Sequence, residues 1–255
     1  MGIREKFISS PDSERSTLFA HIFDMASQSF NHNKICYGMF LSESEQSDLI
    51  KKASFLPCPY TLFGGYDDAE RKMVAFLPDY ATEDFPISVL NIKTPNISKL
   101  SHRDFLGSIL GLGIKREKFG DIIINDDSCN IIMHSDIARF AADNLLRVGR
   151  EGVSTSVNSL DSLVLPEKEF SPITGTVSSP RLDAIVALFI KSGRNSATEY
   201  ISAGRVFIDG ICVMKNDMHL SGNEKISVRG KGKGIIEFGG QSKKGRIFVT
   251  INKYV

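Results

Sequence analysis

The order of apolar runs between residues 87 and 160 limits the possible folds more than any other feature. Residues 87–92 read as a strand. Ser101 and Asp104 form a capping box at the start of a helix over 101–110, in which Phe105 and Ile109 face one way with Leu106 and Leu110 beside them. Gly111 and Gly113 end that helix. Strands over 121–124 and 130–134 flank the polar turn Asn125-Asp126-Asp127-Ser128, Asp136 caps a helix reaching Val148, and 153–160 is a last strand. The order βαββαβ is the split βαβ, ferredoxin-like plan, with two helices on one face of an antiparallel sheet.

On the N-terminal side, Leu18, Ile22 and Met25, with Phe19 and Phe23 beside them, predict a helix over 13–28. A strand over 35–41 follows, then a helix to about residue 53 opened by the capping box Ser42 and Glu45, then strands over 60–63 and 72–77 around Gly64-Gly65. On the other side, 166–179 is rich in Ser, Thr, Pro and Gly and reads as a linker. Beyond it, Leu182, Ile185, Val186 and Phe189 mark one short helix, Ala197 and Ile201 a second, and five short strands follow. The expected architecture is α+β: an α/β domain over 1–84, a ferredoxin-like (RRM-like) domain over 85–165, a linker over 166–179, and a small helical and β domain over 180–255.

Charge divides the chain unevenly. Residues 1–179 hold 18 Lys/Arg against 24 Asp/Glu, whereas 180–255 hold 13 against 6, so a net charge of +1 conceals a basic C-terminal module. Such a module points to a polyanionic partner, with nucleic acid the first candidate. No apolar run approaches 18 residues and the start lacks a signal-peptide core, so neither a membrane span nor secretion is expected. Cys36, Cys58, Cys129 and Cys212 are scattered, with no zinc spacing and no CxxC pair; four free thiols in a reducing cytoplasm are expected.

Catalytic signatures are weak. His102-Arg103-Asp104 has the letters of a kinase catalytic loop, but Ile109 stands where the metal-binding Asn belongs and no Asp-Phe-Gly follows. Gly111-Leu112-Gly113 follows a helix rather than a strand and lacks a third glycine, and 230–234 lacks Walker A spacing. No catalytic residue, metal site or cofactor is nominated. His102, Arg103, Lys115 and Arg116 form a possible second RNA contact, beginning with a helix N-terminus that attracts anions.

The basic glycine-rich stretches carry more. Arg229, Lys231 and Lys233 lie in the first, Lys243, Lys244 and Arg246 in the second, and Arg181, Arg194 and Arg205 add cations to the same module. Dense positive charge suits phosphate contacts, which need no single exact geometry. RNA is favoured over DNA, because neither short helix has a clear reading face and no heptad zipper provides a dimer. The middle domain shares its strand order with single-strand RNA-binding domains, but strands 121–124 and 130–134 lack stacking aromatics, so base stacking is not assigned there.

The C-terminal residues resemble the S-four (alpha-L) RNA-binding domain. The matching text is Arg181-Leu182-Asp183, then Arg194, Ala197, Ile201, Gly204-Arg205-Val206, Gly210, and Ile226-Ser227-Val228-Arg229-Gly230. Gly193, Asp209 and Asn223 depart from the usual Ser, Asn and Asp. The resemblance implies binding of structured RNA, with Arg181, Arg194 and Arg205 on phosphates. The whole chain resembles the YlmH family through Gly64-Gly65-Tyr66, Ala69-Glu70-Arg71, His102-Arg103-Asp104 with Leu106-Gly107, Leu112-Gly113-Ile114, Arg116-Glu117, Gly120-Asp121-Ile122, Asn144-Leu145 and Lys243-Lys244-Gly245-Arg246. That resemblance implies a cytoplasmic, non-catalytic factor of ribosome-associated quality control. It would bind 23S rRNA and tRNA on a large ribosomal subunit carrying stalled peptidyl-tRNA, and a monomer is expected. The alternatives are an RNA-modifying enzyme of the pseudouridine synthase type and a protein-interaction scaffold. A pseudouridine synthase requires a catalytic Asp in a large mixed-sheet domain, and the residues before the basic module show no such core.

Overall fold

A computed structural model of the protein describes residues 2–10, 12–77, 84–166 and 169–254. The chain divides into two units, Met1–Pro166 and Glu167–Val255. The expected division at 84/85 falls inside the first unit, beside residues 78–83, which lie outside the described residues.

The first unit begins with helices α1 (Ile3–Ile8) and α2 (Ser13–His32), strand β1 (Cys36–Leu41), helix α3 (Glu43–Lys52) and strands β2 (Tyr60–Phe63) and β3 (Lys72–Phe76). The short α1 carries no sequence signal strong enough to announce it. It is held by Phe7, whose ring meets Phe19 at 5.4 Å and Phe23 at 5.5 Å. Asp12 opens α2 by accepting the Glu14 and Arg15 amides, and the buried line along the helix is Phe19, Ile22, Ala26 and Ser29. Leu18 and Met25, expected in that line, are only partly buried. The sheet order is β1-β3-β2, antiparallel throughout.

Strand β4 (Ile87–Lys93), helix α4 (His102–Gly111), strands β5 (Phe119–Ile124) and β6 (Ser128–His134), helix α5 (Ser135–Asn144), the small hairpin β7 (Arg147–Val148) and β8 (Glu151–Gly152), and strand β9 (Ser154–Asn158) complete the unit. Their sheet runs β5-β6-β4-β9, all antiparallel, which is the order of the split βαβ plan. Two details differ from the sequence pattern. The N-cap of α5 is His134, whose ring accepts the Asp136 amide, and the helix stops at Asn144 because 147–152 turns back as a hairpin.

One face of this four-stranded sheet is buried and the other is covered in part. One packs Leu90, Ile92, Ile131 and Met133 against Phe105, Ile109, Ala138 and Ala141 of the helices. The other packs Val89, Ile123 and Ile132 against Phe40 and Met73 of the β1-β3-β2 sheet. Gly120 permits that approach, since a Cβ there would lie 2.9 Å from the Phe40 ring. The joint is sealed by polar bonds. The Asp121 carboxylate accepts the Tyr66 hydroxyl at 2.8 Å, the Glu70 amide at 2.7 Å and the Arg71 amide at 3.1 Å. Arg71 Nη2 donates to the Phe40 carbonyl at 2.6 Å. Burial, and next the Asp121 charge, raises the Tyr66 pKa; burial lowers that of Arg71. Much of the text that resembles the YlmH family therefore meets at one half-buried polar joint.

In the second unit, strand β10 (Phe170–Val177) precedes helices α6 (Leu182–Phe189) and α7 (Arg194–Ser202) and strands β11 (Val206–Ile208), β12 (Ile211–Cys212), β13 (Lys225–Val228), β14 (Gly232–Gln241) and β15 (Ile247–Tyr254). The sheet order is β10-β15-β14-β13-β11-β12. The reading of 166–179 as a linker is corrected here: apart from Glu167 and Lys168, which lie outside the described residues, most of it is an edge strand paired with β15 from Phe170↔Tyr254 to Val177↔Ile247. An edge position tolerates Pro172, which has no N–H to give. Leu182, Ile185, Val186, Phe189, Ala197 and Ile201 lie inward against Val206, Ile226, Ile236 and Ile251, as the helical spacing requires. Asp209 takes the left-handed conformation (φ 48°), and its side chain accepts the Lys225 amide at 2.9 Å. Among the described residues no helix is long and apolar enough to cross a membrane.

Asp121→Asn removes the charge that accepts three donors, so it should cost the first unit about 2–3 kcal/mol, read from the denaturant midpoint; an unshifted midpoint would refute the role of the joint. Leu182→Ala should cost the second unit roughly 2–5 kcal/mol, and unchanged melting would refute its placement in the core.

Candidate nucleic-acid interface

The connection between α6 and α7 places two cations, Lys191 and Arg194. Lys191 adopts φ 52°, and the Lys191 and Ser192 amides donate to Leu188 and Ala187 carbonyls at 3.1 and 3.0 Å. This is the left-handed exit of a helix. Gly193 then caps α7, so Arg194 occupies its first position. Two open grooves flank this corner. The larger, about 740 Å³, runs between β10 and α6, with Thr176, Ser178, Leu188, Lys191, Arg194 and Arg246 among its lining residues. The smaller, about 480 Å³, is lined by Ser171, Phe189, Lys191, Lys231, Lys253 and Tyr254, among others. Lys191 belongs to both.

The nine cations singled out in this unit are used in different ways. Arg181 is paired with Asp183 through Nε and Nη2 at 3.2 and 3.0 Å. That bonding raises the Arg181 pKa and holds the Asp183 carboxyl below its ordinary value, with the Arg194 charge adding to the effect on Asp183. Arg205 and Arg229 are neighbours: the Arg229 amide donates to the Arg205 carbonyl at 2.9 Å, and their guanidinium groups lie over Tyr200 and Phe207 at 5.7 and 5.0 Å. Arg194 and Arg246 share the larger groove, where Arg246 donates to Thr176 Oγ1 at 2.9 Å and to the Thr176 carbonyl at 2.6 Å. Lys231 lies in the smaller groove, and Lys233 is exposed on β14 opposite Ser227. Lys243 and Lys244 stand exposed on the turn between β14 and β15. The glycine-rich stretches are tight hairpin turns rather than long loops. Gly230 (φ 80°) turns the first, in which the Lys231 amide donates to the Val228 carbonyl at 2.9 Å.

Lys191 and Lys253 carry no motif, so nothing local in the sequence marks either as part of a site. Lys253 stands over the Phe189 ring at 6.0 Å. Its signal was its inward position in β15, which requires the register of that strand. The signal for Lys191 was its place between the end of α6 and Gly193, where a left-handed residue is needed.

In the first unit, the possible second contact is not one cluster. His102 and Arg103 lie exposed in the first turn of α4, whereas Lys115 and Arg116 follow its far end. A ten-residue helix separates them by about 15 Å. Arg116 is engaged inside the fold: Nη1 donates to the Phe119 and Gly120 carbonyls at 2.7 and 3.0 Å, and the guanidinium lies over the Phe119 ring at 4.3 Å. Burial, and next the Arg71 charge, brings its pKa down to about 10. The face of the central sheet turned away from its helices is covered around Val89, Ile123 and Ile132 by Phe40 and Met73, while Lys93, Ser154 and Ser156 at its other end are exposed. Among the described residues no three His, Cys, Asp or Glu side chains are grouped to hold a metal ion.

A family model described as "Putative RNA-binding domain in YlmH" matches residues 80–162. The structure of the cell division protein ylmH from Streptococcus pneumoniae is similar in fold, with a TM-score of 0.50 at 20% identity over 61% of this chain and 98% of that one. The ribosome-associated protein quality control protein P2 of Bacillus subtilis is 30% identical over 219 residues, 84% of this chain and 85% of that relative. Similarity over that span, together with the shared fold and the matched central domain, means that the chain belongs to the YlmH family.

Proposed function

We propose that the protein is a non-catalytic RNA-binding factor that works on the bacterial ribosome. The observation that carries this reading is the gathering of Lys191, Arg194, Lys231, Arg246 and Lys253 around two open grooves whose described lining contains no Asp or Glu. Cations on a concave surface with no competing acid favour a phosphate backbone. The name of the Bacillus subtilis relative, a ribosome-associated quality control protein, supplies the setting.

In its finer form, the second unit binds structured RNA, namely 23S rRNA and tRNA, on a large subunit that holds a stalled peptidyl-tRNA. Arg181, Arg194, Arg205, Arg229, Lys231, Lys233, Lys243, Lys244 and Arg246 supply the phosphate contacts, with no catalysis and no cofactor, in the cytoplasm and as a monomer. These cations differ in their surroundings. Arg181 and Arg246 are already oriented by Asp183 and Thr176, which lowers the entropic cost of fixing them on a phosphate. Lys243 and Lys244 are exposed at a turn and act through charge alone.

Reversing both charges in Lys243→Glu/Lys244→Glu should weaken association with large subunits and make its salt dependence shallower, by roughly one unit of log–log slope per lost phosphate contact. Co-sedimentation over a salt series measures this. Wild-type sedimentation by the double variant at moderate salt would overturn the role of this turn.

A further inference from the structure

We propose that the seam between β10 and α6 is a track for the backbone of an unpaired RNA segment, with β10 as its wall. This rests on the RNA-binding reading above and extends it to residues outside the S-four resemblance. Three features of the seam carry the inference.

The first is continuity. Lys191 lines both grooves, so they adjoin at this residue. Arg194 and Arg246 belong to one groove, Lys231 and Lys253 to the other. The wall between Ser171 and Thr176 spans about 17 Å at the rise of an extended strand, enough for a short run of nucleotides.

The second is chemistry. Ser171, Thr174, Thr176 and Ser178 line the grooves on the β10 side, where Lys253 is the β15 partner of Ser171 and Arg246 bonds Thr176. Hydroxyls beside ammonium and guanidinium groups suit phosphate oxygens and ribose 2′-OH groups together. Arg246 is held at one mouth by its two bonds to Thr176, which fixes a charge in place before any ligand arrives. At the other end the Phe170 and Tyr254 rings pack at 5.1 Å, and Phe170 is 40% exposed, leaving an aromatic surface on which a base can stack.

The third is size. Grooves of about 740 and 480 Å³ are on the scale of small-molecule sites, and so suit the backbone of a single strand better than a duplex. The proposed occupant is an unpaired segment, which a folded RNA would present as a loop or an end.

The test uses the full chain with two fluorescent probes, a ten-nucleotide oligouridylate and purified tRNA. For Lys191→Ala/Lys253→Ala, affinity for the oligouridylate should fall about 10- to 20-fold near 0.15 M salt, with a log–log salt slope shallower by about 1.4. Lys191→Arg/Lys253→Arg should bind as the wild type does. Photocrosslinking of a 4-thiouridine oligonucleotide to the unmodified protein should mark peptides containing residues 170–177 and 253–254, a readout independent of variant folding. Wild-type affinity in a folded alanine variant, or crosslinks confined to other surfaces, overturns the track. Binding of tRNA without any binding of oligouridylate defeats the track alone; binding of neither probe defeats the RNA reading as well.

Discussion

The ladder between β10 and β15 turns a basic module into a shaped surface. Without it, α6 would face solvent across Leu188, and Arg246 would lose both of its bonds to Thr176. With it, Gly175 brings the strand so close that a Cβ would sit 2.6 Å from the Leu188 side chain, and Thr176 receives the guanidinium of Arg246. Backbone pairing thus sets the distance between charges that are remote in sequence. The grooves are by-products of that pairing, bounded by the edge strand on one side and the helix corner on the other.

The first unit solves a different problem. Two small sheets, each too limited to bury its own faces, share one core, and Asp121 satisfies the donors that this closeness would otherwise strand. Burying amides and a hydroxyl is tolerable only when each has an acceptor. The same arrangement covers part of the sheet face left free by the helices of the central plan. The four-stranded topology alone would leave that face open; the neighbouring Phe40 and Met73 occupy the part around Val89, Ile123 and Ile132. What the central domain still offers outward is its helix surface, its edges and the rest of that face.

The sequence made the regular elements readable where hydrophobic period and capping agree. Ser42 with Glu45 and Ser101 with Asp104 announce α3 and α4, and in each the carboxylate accepts the N-cap amide, Ser42 at 2.6 Å and Ser101 at 2.8 Å. The βαββαβ order was legible for the same reason. β10 was not, because its inward positions are Ser171, Ile173, Gly175 and Val177, only two of which are apolar, and Pro172 and Gly175 read locally as loop. Its strand character comes from a partner far along the chain, which local pattern cannot register. The site shows the same split. Arginines and lysines in dense runs stood out, but Lys191 and Lys253 become neighbours only through the sheet register and the corner after α6. Arg116 looked like a surface cation by residue type alone, and its burial depends on Phe119 folding beneath it.

The position of β10 also has a consequence for assembly. This strand meets β15 only after α6, α7 and the intervening strands have been traversed, so its docking closes a long loop and carries a large chain-entropy cost before any contact repays it. It is an edge strand with a single neighbour. A segment with one neighbour and distant contacts is among the last to settle and the first to detach in partial opening. The wall of the seam can therefore peel away while the core around Ile185 and Ile226 stays shut, and any ligand that bound only the closed wall would hold this strand down by mass action.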